Sequence, residues 1–480
     1  MKTRILIANR GEIALRVIRA VQELGFEAVA VYETPDEMSR HILTADDAIW
    51  IGDGPRCDYL NIQKMVTAAK KAKAVAIHPG YGFLAENPLF AKVCEEEGII
   101  FIGPHSKTVA DLGNKVVARH IMAEAGIPMV PGTKNLSQGR KGIDEALGFA
   151  AEHGYPVMLK ATSGGGGRGI RRIDSDEEMQ AQLPMARSEA LAAFNDDSVY
   201  LEKLVLNPRH VEVQILADNF GKTIHLGTRD CSIQRRNQKL IEMAPSHIQN
   251  KKLLDTICDT AVKAAQAANY LNAGTVEFLI DQDDNFYFLE INTRIQVEHT
   301  VTEMITGIDI VRNQINIALG HSLPFEQEDV QIRGYAIEVR INAEDPKNDF
   351  MPEGGKKVTV YRSTGGFGVR LDGMAYQGYT VPEEYDSLLV KLTVHGYTWE
   401  ETVGRLARCL NNFAIRGPKT TIPFYKNIVV EKDFISGHFD TSYIETHPFI
   451  FHYDEEASEG GKLARFIAEI HHSKENPFAK

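Results

Sequence analysis

The first hundred residues alternate short apolar segments with segments of helical periodicity. Arg4 to Ala8 is an apolar run, and Gly11 then opens a stretch whose apolar residues recur at helical spacing until Gly25 ends it. Further apolar segments of strand length lie at Ala28 to Val31, Ala74 to Ile77 and Ile99 to Ile102. This order predicts a doubly wound parallel sheet with helices on both faces.

Two polar turns follow strands of this predicted sheet, at Asn9 to Glu12 and at His78 to Gly82. Ligands of parallel sheets bind at the carboxyl ends of the strands. A tight turn explains the glycines, but it does not explain the Arg, His and Tyr side chains. Both turns are therefore candidates for a binding site.

The pattern changes after residue 114. A predicted helix runs from Lys115 to about Ala125, and a smaller unit follows with predicted strands at Val157 to Lys160 and Val199 to Lys203. A later region carries predicted strands and then helices, at Ala336 to Ile341, Lys357 to Tyr361, Leu388 to Val394, Glu400 to Phe413 and after Pro418. The predicted fold combines α/β and α+β parts, the last being mainly antiparallel β with helices.

Four units are predicted from these changes of pattern. They are an N-terminal unit (1–113), a central unit (114–330) that contains a lid at about 131–203, a C-terminal unit (331–447) and an extension (448–480).

A glycine-rich turn, Thr162 to Gly169, joins two of the predicted strands in the lid. Consecutive glycines let backbone N–H groups approach one anion, and Lys160 just before the turn adds a positive charge. A flexible linker has a similar composition, but this run joins two strands and not two domains. Neither a Walker A lysine nor a following helix is present, so a hairpin flap over phosphates is favoured.

Two glutamates are predicted to face each other on a hairpin. Thr275 to Ile280 and Phe286 to Glu290 read as its strands, and if Asp281 faces Phe286, then Glu277 faces Glu290. Two carboxylates so close repel each other, and a divalent cation removes the conflict. An exposed edge with both glutamates solvated is the less favoured alternative.

The same alternation continues to Glu298. If the segment stays extended, Glu290, Asn292, Arg294, Gln296 and Glu298 share one face. An ordinary half-exposed strand also alternates. This set, however, offers metal ligands at one end, and at the other a guanidinium that can bind an anion and a carboxylate that can act as a general base.

Two other motifs are rich in charge. The run from Arg229 to Lys239 is either a solvated face or the lining of a cleft, since apolar strand-like residues flank it. Glu338, Arg340 and Asn342 share a predicted strand face, and a structural ion pair and a functional role for Arg340 are about equally supported.

Charge, hydrophobicity and cysteine content argue against several classes of protein. A net charge of −12 argues against a protein that binds nucleic acid by neutralising phosphates. No run approaches the roughly 20 apolar residues of a membrane helix, and the N-terminus does not resemble a signal peptide, so we expect a cytoplasmic protein. The cysteines are scattered without a CxxC pair, which predicts free thiols: Cys57, Cys94, Cys231, Cys258 and Cys409.

Taken together, these motifs resemble the biotin carboxylase family of ATP-grasp ligases, over nearly the whole chain up to His447. The segments that carry the resemblance are Asn9 to Ala14, His78 to Leu84, the glycine-rich turn, Arg229 to Arg236, Asn292 to His299, Arg340 to Asp345 and Tyr385 to Ser387.

The resemblance implies a nucleotide site and a metal site. The residues that would contact ATP are Lys115, Lys160, Gly166, Gly167, Glu202, Lys203, Leu204, His210, Gln234, Asn237, Glu277, Leu279 and Glu290. Mg²⁺, with Mn²⁺ as an alternative, would be held by Glu277, Glu290 and Asn292, which agrees with the hairpin argument.

The resemblance also implies a bicarbonate site and a reaction. Lys239, Arg294, Gln296, the Val297 backbone and Glu298 would bind bicarbonate, with Glu298 as the base. Bicarbonate would attack the γ-phosphate of ATP to give carboxyphosphate, which breaks down to CO₂ and phosphate. That phosphate would take the N1′ proton of biotin, while Arg340 steadies the enolate and Tyr81 contacts biotin.

The chain departs from the usual family pattern at a few positions. Asn237 stands where the family usually has His, Ser163 replaces a flap glycine, Met243 replaces a Glu and Tyr335 replaces a His. These changes spare the reacting groups, so activity is still expected.

Partners are also implied. The chain lacks an Ala-Met-Lys-Met biotinylation motif, so biotin would arrive on a separate biotin carboxyl carrier protein, and a carboxyltransferase subunit would choose the final acceptor. Many family members are homodimers, with contacts from Arg16, Arg19, Glu23, Phe367 and Arg370. The aromatic residues Phe449, Phe451 and Tyr453 either dock a partner subunit or pack on the chain's own surface.

Two alternatives are weighed against this function. One is another ATP-grasp ligase, against which the pattern from Arg294 to Glu298 argues. The other is a non-catalytic nucleotide-binding subunit, against which the set Lys239, Arg294, Glu298 and Arg340 argues.

Overall fold

The computed structural model describes residues 2–54, 57–162 and 169–453. Its N-terminal part is a parallel sheet in the order β3-β2-β1-β4-β5. The strands are β1 (Arg4–Ile7), β2 (Glu27–Glu33), β3 (Asp47–Gly52), β4 (Ala76–His78) and β5 (Ile100–Phe101). The helices are α1 (Gly11–Glu23), α2 (Arg40–Thr44), α3 (Ile62–Ala72), α4 (Pro88–Glu96) and α5 (Ser106–Gly113).

Alternate side chains of β1 enter two different cores. Ile5 and Ile7 pack with Val17 of α1, whereas Leu6 packs with Met65 of α3 and Phe90 of α4. Successive strand residues point to opposite faces, so helices cover both faces of the sheet. The prediction of a doubly wound parallel sheet is confirmed.

The lid follows α6 (Lys115–Glu124) and has a hydrophobic core of its own. It consists of α7 (Gly139–His153), β6 (Val157–Ala161), β7 (Ile170–Ile173), α8 (Asp176–Phe194) and β8 (Val199–Lys203). The strands form an antiparallel sheet in the order β7-β6-β8, on which Leu159, Met179 and Leu183 are buried. The predicted hairpin around the glycine-rich turn is therefore present, while residues 163–168, including Gly166 and Gly167, lie outside the described residues.

The largest sheet is antiparallel and runs in the order β13-β12-β9-β10-β11-β14-β19-β18. Its strands are β9 (Arg209–Ala217), β10 (Thr223–Arg235), β11 (Gln238–Ala244), β12 (Asn272–Ile280), β13 (Phe286–Asn292), β14 (Tyr335–Asn342), β18 (Val369–Gly373) and β19 (Leu388–Gly396). The associated helices are α9 (Lys251–Ala267), α10 (His299–Thr306) and α11 (Ile310–Ala318). Because β11 pairs with β14, this sheet crosses the predicted boundary near residue 330. The four predicted domain ranges stay a prediction.

Short strands and helices complete the C-terminal part. They are β15 (Glu344–Asp345), β16 (Met351–Pro352), β17 (Val360–Arg362), β20 (Ala414–Arg416), α12 (Trp399–Asn412), α13 (Ile422–Ile428), α14 (Lys432–Ser436) and α15 (Tyr443–Thr446). The predicted strand Lys357 to Tyr361 is thus shifted to Val360–Arg362. Among the described residues, no helix has the length and apolar character needed to span a membrane.

The aromatic residues after His447 have two environments. Phe451 packs against Phe424 and Phe350, with ring centroids 5.3 and 6.2 Å apart, whereas Phe449 is 46% exposed. Packing on the chain's own surface therefore accounts for Phe451, and residues 454–480 lie outside the described part of the chain.

Candidate active site

The hairpin of β12 and β13 brings Glu277 and Glu290 opposite each other, as predicted. The predicted pairing of Asp281 with Phe286 is wrong, because Ile280 occupies that position. A bulge at Leu289 adds one residue to β13 and restores the Glu277–Glu290 pairing. Glu277 is buried, while Glu290 lies at the accessible side of the site.

The predicted extension of this strand to Glu298 is wrong as well. Strand β13 ends at Asn292, and the chain turns before Glu298, which lies at the N-terminus of α10. The polar side chains still converge, because the turn folds them back over β12. Asn292 and Gln296 both donate to the same oxygen of Glu277, over 2.9 and 3.0 Å.

Lys239 of β11 lies among three carboxylates. Its Nζ is 2.6 Å from Glu212, 2.8 Å from Glu277 and 2.9 Å from Glu298. Burial disfavours the ammonium, but the three negative charges outweigh burial and raise the pKa of Lys239 well above its usual range. The site therefore keeps a fixed positive charge at its centre.

Glu277 is the most heavily engaged of these carboxylates. Besides Lys239, Asn292 and Gln296, it contacts Nε2 of His210 at 2.7 Å. Burial alone would raise the pKa of Glu277, but Lys239 and His210 hold it well below its ordinary value. At Glu290 the pKa is raised, because the surrounding protein and the charge of Glu277 disfavour ionisation, while Lys115 opposes them.

Glu298 is held between two cations. It lies 2.9 Å from Lys239 Nζ and 3.0 Å from Arg340 Nη2, and its side chain has almost no solvent access. Burial favours the neutral form, but these cations lower its pKa, so the carboxylate is ionised at neutral pH. It is therefore available in its unprotonated form to a ligand bound beside it.

Arg294 is oriented by hydrogen bonds along its own segment. Its guanidinium donates to Gln296 Oε1 at 2.9 Å and to Asn292 Oδ1 at 3.2 Å, and it forms an ion pair with Glu86 at 3.0 Å. Sequence reasoning missed Glu86. An acid two residues after the His78 to Leu84 motif was the available signal.

Arg340 of β14 is shared between Glu298 and Glu242, both of which are buried. Burial raises the pKa of Glu242 to about 8, and the charge of Arg340 opposes this shift. Glu242 was also missed, although a charged residue inside the apolar segment from Leu240 to Ala244 marked it.

A buried arginine lies behind the cluster. Arg229 of β10 forms an ion pair with Glu212 and donates to Gln214 at 2.7 Å and to Thr275 at 3.0 Å. At the other end of the same motif, Arg236 is exposed and pairs with Asp349. The cleft interpretation thus applies to Arg229 and Lys239 at the two ends of the motif, and the solvated-face interpretation applies to the turn around Arg236.

The described residues among those predicted for ATP lie on or next to α6, the lid strands and the large sheet. Lys160 of β6 and Arg119 of α6 both pair with Glu202. Lys203 Nζ donates to the carbonyls of Gly154 and Tyr155, each at 3.1 Å, and the Leu204 N–H donates to the Pro156 carbonyl at 3.2 Å. These contacts join β8 to the loop that precedes β6.

On the sheet side, His210 of β9 is the cross-strand partner of Leu279. Gln234 lies near the other ring nitrogen of His210, at 3.5 Å. Asn237 and Arg236 form the two-residue turn between β10 and β11 with φ of 64° and 49°. Asn tolerates this left-handed conformation better than most residues, which gives a local reason for Asn at position 237.

Tyr81, predicted to contact biotin, belongs to the turn after β4. Its hydroxyl donates to Glu12 of α1, and Asn9 Nδ2 donates to the carbonyls of Pro79 and Tyr81, each at 2.7 Å. The two polar turns noted in the sequence are therefore joined to each other.

Three family models match consecutive parts of the chain. They are the biotin carboxylase N-terminal domain (residues 1–109), the ATP-binding domain of the carbamoyl-phosphate synthase L chain (114–326) and the biotin carboxylase C-terminal domain (338–446). Biotin carboxylase 1 of Bacillus subtilis is 49% identical over 449 residues, which are 93% of this chain and 99% of that protein. The chain belongs to the biotin carboxylase family.

Other family members differ in length. The 2-oxoglutarate carboxylase small subunit of Hydrogenobacter thermophilus is 50% identical and is matched over 98% of both chains. Pyruvate carboxylase of Bacillus subtilis is 48% identical over 97% of this chain, but the chain spans only 41% of its length.

Solved structures of the family have the same fold. The biotin carboxylase domain dimer of the Hydrogenobacter thermophilus 2-oxoglutarate carboxylase, in complex with MgADP, ADP and bicarbonate, has a TM-score of 0.90 at 49% identity, covering 95% of this chain and 100% of that one. The biotin carboxylase subunit of a pyruvate carboxylase has a TM-score of 0.82 at 50% identity, with the same coverage. The predicted family, fold class and ligase activity are confirmed, whereas the assignment of single site residues stays a prediction.

Proposed function

We propose that this chain carboxylates biotin on a separate carrier protein, using ATP and bicarbonate, and that the cluster around Lys239 is its reaction centre. The observation that carries the proposal is Glu298, a buried carboxylate kept ionised between Lys239 and Arg340. A general base must be unprotonated and within hydrogen-bond reach of the proton that it removes. Arg294 and Gln296 lie next to it along the chain.

The nucleotide would bind between the lid and the large sheet. Lys115 and Lys160 supply charge for the phosphates, together with the glycine-rich turn that joins β6 to β7. The Glu202 to Leu204 segment supports the base, and His210, Gln234, Asn237 and Leu279 line the sheet side. The ion pair of Glu202 with Arg119 supports this placement because it ties the lid to α6, while Lys160 pairs with Glu202 within the lid.

Glu277, Glu290 and Asn292 fit a hard divalent cation. Their oxygen donors are the type that Mg²⁺ and Mn²⁺ prefer. The raised pKa of Glu290 beside Glu277 supports the fit, since a cation relieves the repulsion between the two carboxylates. When bound, the cation neutralises charge on the ATP phosphates.

Bicarbonate would lie between Arg294 and Lys239, also reached by Gln296 and the Val297 backbone. Glu298 takes its proton, and the resulting oxyanion attacks the γ-phosphorus of ATP, so that the bond to ADP breaks and carboxyphosphate forms. Carboxyphosphate then breaks down to CO₂ and phosphate. Lys239 and Arg294 stabilise the negative charge that develops in these steps.

Biotin would bind near Tyr81 and Arg340. The phosphate removes the N1′ proton, Arg340 stabilises the enolate oxygen and N1′ attacks CO₂ to give carboxybiotin. Arg340 can serve both steps, because its guanidinium already contacts Glu298.

We further propose that the chain works as a homodimer with a biotin carboxyl carrier protein and a carboxyltransferase subunit. The dimeric relative and the small-subunit relative support this assembly. Arg16, Arg19, Glu23, Phe367 and Arg370 are the proposed dimer contacts. Phe367 suits such a role because it is 77% exposed.

The test is ATP hydrolysis with purified protein, bicarbonate and free biotin. We expect ADP formation that requires bicarbonate and rises with biotin, together with transfer of labelled bicarbonate into biotin. Folded protein that binds MgATP but shows no response to biotin would contradict the proposal. Hydrolysis driven by a different small acceptor would favour another ATP-grasp ligase.

A further inference from the structure

A lysine outside the predicted site contacts the turn that carries Glu298. Lys391 of β19 has no exposed side-chain surface, and its Nζ donates to the carbonyl of Val297 at 2.6 Å. The same ammonium lies 3.2 Å from Glu12 of α1. Lys391 thus joins the turn before the proposed base to a different part of the chain.

The strand register places Lys391 beside the reaction centre. It is the direct cross-strand partner of Arg340, so the two side chains lie on the same face of the sheet. Two cations so close are tolerated because each has its own carboxylates. Arg340 has Glu242 and Glu298, and Lys391 has Glu12, with Glu338 and Asp372 also favouring its charged form.

Glu12 extends the contact to the proposed biotin residue. It is 4% exposed and accepts from the Tyr81 hydroxyl as well as pairing with Lys391. A continuous series of polar contacts therefore runs from Tyr81 through Glu12 and Lys391 to Val297.

Stability alone is a weak explanation of this buried pair. Desolvation of two charges offsets most of their attraction, so well-packed apolar side chains usually serve the fold equally well or better. The charged pair of Lys391 and Glu12 does something that apolar side chains cannot do. It holds the Val297 carbonyl and the Tyr81 hydroxyl in fixed positions. Both of those groups belong to segments assigned to substrates.

We propose that Lys391 is a positioning residue of the carboxylation reaction, which fixes the turn at Val297 and Glu298 relative to Glu12 and Tyr81. The inference rests on the proposed function and deepens it. Lys391 acts through the turn and does not touch the reacting atoms.

The first test is Lys391→Met, which keeps the length of the side chain and removes its charge. We expect the KM for bicarbonate to rise about tenfold or more and kcat to fall, the size of effect that follows loss of a hydrogen bond to a charged group. The KM for MgATP should stay within about twofold, because the nucleotide residues lie on other strands.

The matched control is Lys222→Met. Lys222 Nζ also contacts backbone carbonyls, those of Leu323 and Phe325 at 3.2 and 3.3 Å, and a glutamate, Glu326. It makes these contacts away from the proposed site. We expect wild-type KM values for all three substrates.

The second test is Glu12→Gln, which keeps a partner for Tyr81 but removes the charge that Lys391 faces. We expect the KM for biotin to rise severalfold, with the KM for MgATP unchanged. Because the two residues act through one series of contacts, the double variant should lose less than the product of the two single effects.

The outcomes separate this inference from the proposed function. Wild-type protein without biotin-stimulated ATP hydrolysis would defeat the proposed function and this inference with it. An active wild type with unchanged KM for bicarbonate and biotin in folded Lys391→Met would overturn the inference alone. A purely structural role would lower the melting temperature without selective KM changes, which also overturns it. If Lys391→Met does not fold, Glu12→Gln decides in the same way.

Discussion

The charge cluster around Lys239 and the nucleotide lid are held in different ways. Most side chains of the cluster come from β9, β10, β11, β12 and β14 of one continuous sheet, Glu298 comes from the N-terminus of α10, and each charge has several partners. The lid has a separate sheet and core, and Glu202 joins it to α6. The side chains proposed for proton transfer are thus each held by several neighbours. The lid residues proposed to contact ATP belong to a unit that packs mainly against itself. Substitutions in the cluster should change chemistry, and those in the lid should change nucleotide affinity.

The largest expected effect is that of Glu298→Gln. The amide keeps the shape but cannot take the bicarbonate proton, so kcat for biotin carboxylation should fall by about 10² to 10⁴. The KM for MgATP should change little. Initial rates of ADP formation measure both, with Glu445→Gln, at an exposed position of α15, as the control. Unchanged turnover would show that Glu298 is not the base.

Lys239→Met should lower both stability and activity. It leaves three carboxylates without their shared cation, a change that costs about 3–5 kcal/mol for buried pairs. The pKa of Glu277 and Glu298 should then rise, so the loss of stability should grow with pH. Denaturant titrations at pH 6 and pH 8 measure this, with Lys222→Met for comparison. Equal losses at both pH values would argue against the cluster as the cause.

Glu202→Gln tests the lid. Lys160 and Arg119 would lose their shared carboxylate, and we expect the KM for MgATP to rise about tenfold, the size of one charged hydrogen bond. The KM for bicarbonate should stay near the wild-type value. A change confined to bicarbonate would contradict the division between cluster and lid.

Glu242→Gln should remove a pH dependence of stability. The pKa of Glu242 is raised to about 8 in the folded protein, so the native state binds this proton more tightly than the unfolded chain does. Its contribution is fully present below about pH 4.5 and is lost as pH rises through 8, at no more than about 1.4 kcal/mol per pH unit. Melting temperatures from pH 5.5 to 8.5 should fall more steeply for the wild type than for Glu242→Gln.

The smallest expected effect is that of Asn237→His, which restores the residue that the family usually has. The KM for MgATP should change by less than about threefold, while His at a positive φ should cost up to about 1 kcal/mol. ATP titrations and melting curves measure the two effects. A large gain in affinity would show that Asn237 weakens the nucleotide site.

Local patterns in the sequence were enough to find the elements and many of the site residues. Apolar periodicity located β1, α1, β8 and the β12–β13 hairpin to within a few residues. A strand or helix that is buried on one face must carry apolar residues at the spacing of that face. The resemblance supplied roles for Lys239, Arg294, Glu298 and Arg340. The structure places Lys239 and Arg340 against Glu298, and Arg294 donates to Gln296, which donates to Glu277.

Features that depend on distant contacts were not predictable in this way. The pairing of Asp281 with Phe286 was wrong because Asp281 lies in the turn, where its N–H donates to the Asn285 carbonyl, and Ile280 pairs with Phe286. The bulge at Leu289, which restores the Glu277–Glu290 pairing, leaves no clear trace in an alternating pattern. The extension of β13 to Glu298 was wrong because the turn into α10 keeps the same alternation of polar and apolar residues.

What the sequence by itself determined is the family, the periodicity of each element and the chemical groups available for catalysis. The tertiary structure decided which of those charged groups form ion pairs with one another. Glu86, Glu212, Glu242 and Lys391 lie far along the chain from the residues they hold, and only the tertiary fold makes them neighbours. The physical reason is that a buried charge needs an oppositely charged or hydrogen-bonding group close to it. The amino-acid sequence shows the charged residue, but it does not show which distant residue will lie beside it.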